Sequence, residues 1–371
     1  MKHIVPGKKG GVFERIFPPP KFLRMPAVGV DISDSSVKCI EIVEQGNTKR
    51  LGRFGELPIP DGAISRGMIQ NSAALIKVLA DLRATHHLNF IRASLPEEHV
   101  YVFQTLMPDD TPHEQIRTTL EFQLEEHVPI APRDAVFDYE VMQHREAGQG
   151  HLYIDVSVYP KGVVQSYLDA FRAAKLTPLS FEVEARAVAR AVLPRGDTGA
   201  VMLVDFGRLR TGIAVVSNGF LEFTTTVPLG GQPISTAIIE YLKIPPGEVD
   251  KIKNERGILG MREHKELYSA LVNTVSLLRD EINKHVIYWN THKDTDGNAN
   301  SRIEKILLCG GGANLAGLPE YLSGTMRIPT EVVNVWRNAF SFEEVIPELT
   351  HAESLSYATA IGLALQGTNH D

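Results

Sequence analysis

The chain has 371 residues, is 43% hydrophobic and 22% charged, and carries a net charge of −7. These proportions exclude wholesale disorder, collagen-like repeats and an extended coiled coil, and the length allows two or three domains around a large core. Two cysteines, Cys39 and Cys309, cannot build a disulfide framework and have no metal-ligand neighbours, which points to a reducing compartment and away from a zinc site.

In chain order, residues 1–26 come first, with Lys2, Lys8, Lys9, Arg15, Lys21 and Arg24 against Glu14 alone. That tail is expected to be solvated, or to touch anionic lipid or an acidic partner with Val12, Phe13, Ile16 and Phe17 adding apolar grip. No apolar h-region follows it, so no signal peptide is expected, and no apolar run reaches the roughly 20 residues of a membrane span. Residues 28–43 read as two strands around the polar turn Ser33-Asp34-Ser35-Ser36, and 72–85 as a helix, with His86 and His87 at its end. Strands are predicted at 90–95 and 99–106. A helix follows at 113–127, capped by Asp110 or Thr111. Residues 135–143 and 151–159 read as a hairpin with a Gly-rich turn. A helix at 161–175, a strand at 179–184 and a short helix at 185–192 follow.

A second set begins near residue 200. Strands are predicted at 200–206, 212–217 and 220–227, the last two joined by the hairpin signal Asn218-Gly219. Helices are predicted at 233–243, 247–255 and 265–289, then a polar loop at 292–302. A strand at 303–309 runs into Gly310-Gly311-Gly312, and helices at 317–326 and 353–366 complete the chain. Each half opens with strand, Asp, turn, strand (VGVDISDSSVKCIEI and MLVDFGRLRTGIAVV), a weak internal pseudo-symmetry.

These turns suggest phosphate chemistry. A phosphate chain with Mg²⁺ needs backbone N–H groups in tight turns and carboxylates for the metal's waters. Asp31 with Ser33, Asp34, Ser35 and Ser36 offers one such turn, and Asp205 with Gly207 and Thr211 a second. Lys38 could reach phosphates as a point charge. Either turn alone also fits an ordinary strand-end turn. The triple glycine lets backbone approach a flat ligand closely, or merely connects a strand tightly to a helix. No P-loop, Rossmann fingerprint, nucleophile elbow or H-E-x-x-H is present. An acidic body without a basic-aromatic stripe argues against nucleic acid.

In order, the three turns resemble the phosphate-1, phosphate-2 and adenosine motifs of the actin/Hsp70/FtsA superfamily. More specifically, the chain resembles the PilM family of type IV pilus assembly. The resemblance is carried by GVDISDSSVKCIEI, ISRGMIQN, LEFQLEEHVPIAPRDAVFDYEV, VDFGRLRTGIAVVSNGFLEFTTTVPLGG, KILLCGGGANLAGLPEYLS and YATAIGLALQG, over roughly residues 27–366. It implies an α/β, actin-like (ribonuclease H-like) two-lobed fold with an inserted small α+β (SHS2-type) domain. Lobe 1 would comprise 27–92, 177–197 and 352–371, and the insert 93–176. Lobe 2 would comprise 198–232 and 303–351, with a nucleotide-clasping helical part at 233–302.

The resemblance also implies ATP with Mg²⁺. Asp31 and Asp205 match the magnesium-water carboxylates. Ser33, Asp34, Ser35, Ser36, Lys38, Gly207 and Thr211 match the phosphate contacts, and Gly310, Gly311 and Gly312 the adenosine turn. Glu184 matches the residue that orients attacking water, and Asp250 and Lys253 the nucleoside contacts. Ser33 stands where glycine is usual, Gly212 where a polar residue is common, Ala185 where proline is frequent and Asp250 where Glu is usual. ATP binding is therefore expected, with hydrolysis at most slow, because in-line attack needs a closely positioned water. The implied role is a cytoplasmic scaffold, peripheral at the inner membrane. It would bind the N-terminal cytoplasmic tail of a PilN-like membrane protein, with self-association also open. The alternatives are an FtsA-like polymerising actin homologue, which would need an amphipathic membrane helix, and a sugar-kinase-type phosphotransferase, which would need a substrate base.

Overall fold

The computed structural model describes residues 27–45, 48–142, 151–292 and 299–366. The basic tail, the Gly-rich turn of the expected hairpin, most of the expected polar loop and the last five residues lie outside the described residues. The first unit runs β1 (Val28–Ile32), β2 (Ser36–Gln45), β3 (Thr48–Pro58), the small pair β4 (Ile64–Ser65) and β5 (Met68–Ile69), then α1 (Ser72–His86) and β6 (Phe90–Leu95). The next segment is β7 (Tyr101–Pro108), α2 (His113–His127), β8 (Ala135–Met142) and β9 (His151–Pro160). The chain continues through α3 (Lys161–Ala173), β10 (Thr177–Val183) and α4 (Glu184–Val192).

The second unit contains β11 (Val201–Phe206), β12 (Thr211–Ser217), β13 (Phe220–Val227), α5 (Gln232–Leu242), α6 (Val249–Glu255) and α7 (Lys265–Thr291). Then come β14 (Lys305–Cys309), α8 (Leu318–Met326), β15 (Thr330–Val332), α9 (His351–Ser354) and α10 (Ala358–Leu365).

The pseudo-symmetry is a shared topology. One five-stranded sheet has the order β10-β6-β1-β2-β3 and the other β13-β12-β11-β14-β15. In each, the first three strands form an antiparallel meander, and a parallel strand lies on the far side of the first. The register is also shared: Asp31 pairs with Lys38 across β1 and β2, and Asp205 pairs with Gly212 across β11 and β12. Both aspartates therefore end an apolar strand just before a tight turn.

A third sheet, β7-β9-β8, carries α2 and its own core of Met107, Ile116, Leu120, Leu124, Ile154 and Val156. Its α2 begins after Pro112, which presents no side-chain cap, so neither Asp110 nor Thr111 fills that role. The fixed φ of Pro112 starts the first turn instead. The chain enters this sheet after β6, so the expected boundary at 93 falls inside a lobe-1 strand. Helix α3, expected within the insert, buries Val163, Tyr167, Ala170 and Phe171 in the larger core. The Tyr167 hydroxyl donates to the Gly67 carbonyl at 2.9 Å, fastening α3 to the β4–β5 turn.

Two helices tie the core of lobe 1 together. Every residue of α10 is buried, and it packs on α4 and over β1. A Cβ on Gly362 would collide with the Ala187 carbonyl, so glycine sets this crossing distance. Sequence periodicity predicts one helix over 353–366, but a 3₁₀ turn at Leu355–Tyr357 divides it into α9 and α10. At the break, the Leu355 carbonyl accepts the Gly310 N–H at 3.0 Å, which anchors the triple-glycine turn to lobe 1. In lobe 2, α7 buries Leu267, Leu271, Val275, Leu278, Ile282 and Val286 along one stripe. Among the described residues, no helix is long and apolar enough to cross a membrane.

Candidate functional site

The three turns converge. In the parallel β11–β14 register Asp205 lies beside Cys309, so the glycine turn leaves the sheet next to the Asp205 carboxylate. Gly310 has φ +81, and a Cβ there would collide with Asp205 Oδ1 and the Phe206 carbonyl. Only glycine meets both demands. Burial pushes the Asp205 carboxyl up to about 6, with the Asp31 charge adding to it and the Lys38 and Arg210 charges opposing it. Asp31, Lys38 and Asp205 therefore face one another across the lobes. Asp31 is also aimed by lobe 1, since the Ser94 hydroxyl donates to its Oδ1 at 3.0 Å.

The first turn is closed by its own side chains. The Ser33 N–H donates to the Ser36 carbonyl at 2.9 Å, and the Ser36 N–H donates back to the Ser33 hydroxyl at 3.1 Å. The Ser35 N–H also points to that hydroxyl, at 3.4 Å. The serine found where glycine is usual thus draws on the N–H groups that a phosphate would use. Lys38 donates to Ser36 Oγ at 2.9 Å and pairs with Glu56 at 3.3 Å. Asp34 faces away from this turn and accepts the N–H groups of Arg66 and Gly67 at 2.9 and 3.0 Å.

The second turn is tight. The Gly207 N–H donates to the Arg210 carbonyl at 3.0 Å, and the Gly207 carbonyl accepts the Gly231 N–H at 3.0 Å. The start of α5 is thereby folded onto the turn. Thr211 does not open onto the cleft: it is fully buried, and its hydroxyl donates to the Leu229 carbonyl at 2.5 Å. Gly312 lies against the Phe206 ring. Further along the same side, Lys253 pairs with Asp250 at 2.5 Å and donates to Ser235 Oγ at 3.3 Å. The Lys253 carbonyl accepts the Ala316 N–H at 3.2 Å, joining α6 to the segment after the triple glycine. Lys253 is nearly buried, whereas Asp250 is 84% exposed.

Glu184 begins α4 at the floor of the cleft. Burial, foremost, drives its carboxyl well above the usual range, with Asp31, Glu97 and Glu98 adding to it and Arg210 opposing. Arg210 donates to Glu184 Oε1 at 3.1 Å.

Arg210 is one of four residues at the site that sequence reasoning missed. It rises from lobe 2 into an acidic nest of lobe 1, pairing with Glu98, with Glu184 and with Asp34 at 3.5 Å. Its side chain is only 15% exposed. The others are Ser94, Glu97 and Glu98. Glu97 accepts the Ala185 N–H at 3.0 Å, and burial pushes its carboxyl up to about 7. The one local signal for Glu97 and Glu98 is an acidic pair directly after an apolar strand. Between Glu97, Glu184, Asp205 and Gly212 the lobes leave a cavity of about 10 Å³, room for one water.

The site suits a nucleotide with its metal in three respects. Two strand-end carboxylates stand beside a lysine, Gly310 and Gly312 pack where a Cβ would collide with Asp205 and Phe206, and a nearly buried lysine lies on α6, which is joined to the segment after the triple glycine. Among the described residues no group of three acidic, His or Cys side chains is placed to ligate a metal directly. Two carboxylates holding a hydrated ion do not require such a group.

The family model for type IV pilus assembly protein PilM matches residues 29–368. Among solved structures, the chain resembles a protein described as "PilM-PilN type IV pilus biogenesis complex". The TM-score is 0.74 at 22% identity, covering 94% of this chain and 100% of that one. It also resembles the ethanolamine utilization protein EutJ from Carboxydothermus hydrogenoformans, with TM-score 0.53, 17% identity and coverage of 94% and 90%. MreB5 of Spiroplasma citri bound to ADP matches with TM-score 0.51, 13% identity and coverage of 92% and 96%. At these identities the solved structures speak to the fold, which is actin-like. The chain belongs to the type IV pilus assembly protein PilM family.

Proposed function

We propose that the chain is an ATP-binding scaffold of type IV pilus assembly, working on the cytoplasmic face of the inner membrane. Its cleft would close on Mg-nucleotide, and a groove on the small sheet and its neighbour would take the tail of a PilN-like membrane protein. The observation that carries this reading is that the Asp31 charge acts on Asp205, against which Gly310 packs, where two sheets of like topology face one another. Asp31 and Asp205 would hold the waters of Mg²⁺, whose charge offsets that of the phosphates. Lys38, Gly207 and the backbone of 33–36 would meet the phosphates. Gly310–Gly312 and Lys253 would flank the nucleoside. We read the β7-β9-β8 sheet with α2 as the inserted SHS2-type domain.

Hydrolysis is slow in this reading, because Arg210 holds one oxygen of the Glu184 carboxylate that would orient water. The solved structure described as a PilM-PilN complex supports a PilN-like protein as the partner of the scaffold.

The test is a titration of short N-terminal tails of inner-membrane pilus proteins, with and without Mg-ATP, alongside single-turnover hydrolysis. The reading expects one tail to bind with a nucleotide-dependent Kd. Failure of every tail under both conditions, or several turnovers per minute without any partner, contradicts it.

A further inference from the structure

We infer that Arg210 and Glu98 form the link by which occupancy of the cleft reaches the small sheet; the inference rests on the nucleotide-cleft reading above. Glu98 belongs to the connector 96–100, which leaves β6 of lobe 1 and enters β7 directly. The connector's own backbone bonds are long, His99 N–H to the Pro96 carbonyl at 3.3 Å and Val100 N–H to the Glu97 carbonyl at 3.4 Å. Side chains set its position instead. Glu97 reaches the Ala185 N–H, the His99 ring meets the Arg66 carbonyl at 2.9 Å, and Glu98 pairs with Arg210. The Glu98 Oε2 atom is buried without a hydrogen-bond partner, so its charge depends on that guanidinium. Once in the small sheet, β7 lies against β13, an edge strand of lobe 2.

The Arg210 charge also acts on Asp205, as does that of Lys38. An anionic phosphate chain beside Asp205 and Gly207 competes with Glu98 for the same guanidinium. If the Nη1 edge of Arg210 turns to the phosphates while Nη2 stays on Glu184, Glu98 becomes a buried carboxylate without a cation. It must then find another partner or swing out, and either moves the connector. Three residues later the chain is already in β7, so the small sheet is displaced against β13. Glu98 touches no phosphate in this scheme and acts as a positioning residue through Arg210.

The experiment uses the full chain. Calorimetry measures Mg-ATP affinity, and amide hydrogen exchange follows peptides covering 96–108 with and without Mg-ATP. In the wild type, Mg-ATP is expected to change exchange in 96–108 at least fivefold. In Glu98→Gln, affinity is expected to stay within threefold while the nucleotide response falls below twofold. A second variant, Arg210→Lys, keeps the charge but loses the fork that grips several carboxylates at once, and is expected to lose the same response. Because the readout is a ligand-dependent difference, a merely structural role for Glu98 would not remove it. An undiminished response in both variants, or a wild type that binds Mg-ATP with no change in 96–108, overturns the inference and leaves the nucleotide site standing. A wild type that does not bind Mg-ATP overturns the site itself, which calorimetry reads directly.

Discussion

Replacing Arg210 by methionine removes one charge from the middle of the cleft and little else. The stem is conserved, so packing is nearly kept. Left behind are Glu98, Glu184 and Asp34, which lose the guanidinium that now faces all three. Removing one partner of a buried ion pair costs about 3–5 kcal/mol, because the remaining charge stays desolvated. Three carboxylates around one cation place Arg210→Met at the upper end of that range at pH 8. The cost must also depend on pH. Without the guanidinium that opposes it, the Glu184 carboxyl, already raised by burial, rises further. Between about pH 4 and pH 8 the native variant then binds more protons than its unfolded chain, so its stability falls as pH rises. Urea unfolding at pH 5 and pH 8, compared with wild type, reads the effect as a shift of midpoint. The expected loss is large at pH 8 and shrinks by several-fold at pH 5. An equal loss at the two pH values, or less than about 1 kcal/mol at pH 8, would falsify the buried-clamp description.

Three further outcomes follow from the same geometry. Glu97, pushed up to about 7 by burial, contributes stability that is full below its unfolded value and is lost as pH rises through 7. Glu97→Gln still accepts the Ala185 N–H and no longer ionises, so it should stabilise the chain by about 2 kcal/mol at pH 8 and have little effect at pH 5. Equal destabilisation at both pH values would contradict this. Gly362→Val forces a side chain onto the Ala187 carbonyl where α10 crosses α4 and should cost about 3 kcal/mol or more, read as a fall in Tm; a Tm within two degrees of wild type, on the order of measurement scatter, goes against it. Ser33→Gly frees the N–H groups of Ser35 and Ser36 from the Ser33 hydroxyl and should tighten Mg-ATP binding, while a weakened Kd would mean that this hydroxyl is itself a ligand contact.

Much of the fold could be read from strand ends. The apolar runs that finish in Asp31 and Asp205, the Asn218-Gly219 hairpin and the stripe along α7 are local signals, and the structure bears them out. Asn218 and Gly219 both take positive φ, as that two-residue turn requires. His86 ends α1, and His87 is its left-handed cap. By contrast, β3 was invisible because Gly52 and Gly55 interrupt its alternation. Gly52 lies against Glu41, and Gly55 lies beneath the His86 ring, contacts that exist only after folding. The break between α9 and α10 is likewise tertiary, since it turns the Leu355 carbonyl toward Gly310.

The site was legible as three motifs and illegible as a network. Arg210 meets partners 26, 112 and 176 residues away, and no spacing rule spans such distances. Thr211 carried a polar side chain at a matching position, yet its place on β12 points the hydroxyl at the Leu229 carbonyl. Sequence could say which residues are near the turn. Only the sheet register says which way they face.

The most direct measurement is calorimetric binding of ATP to the full chain, with Mg²⁺ and with EDTA, for wild type and Asp205→Asn. The account predicts binding that needs Mg²⁺ and weakens at least tenfold, about 1.4 kcal/mol, in the variant. Absence of binding in the wild type, or equal affinity in the variant, would mean that the crevice between Asp31, Asp205 and the triple glycine is not a nucleotide site.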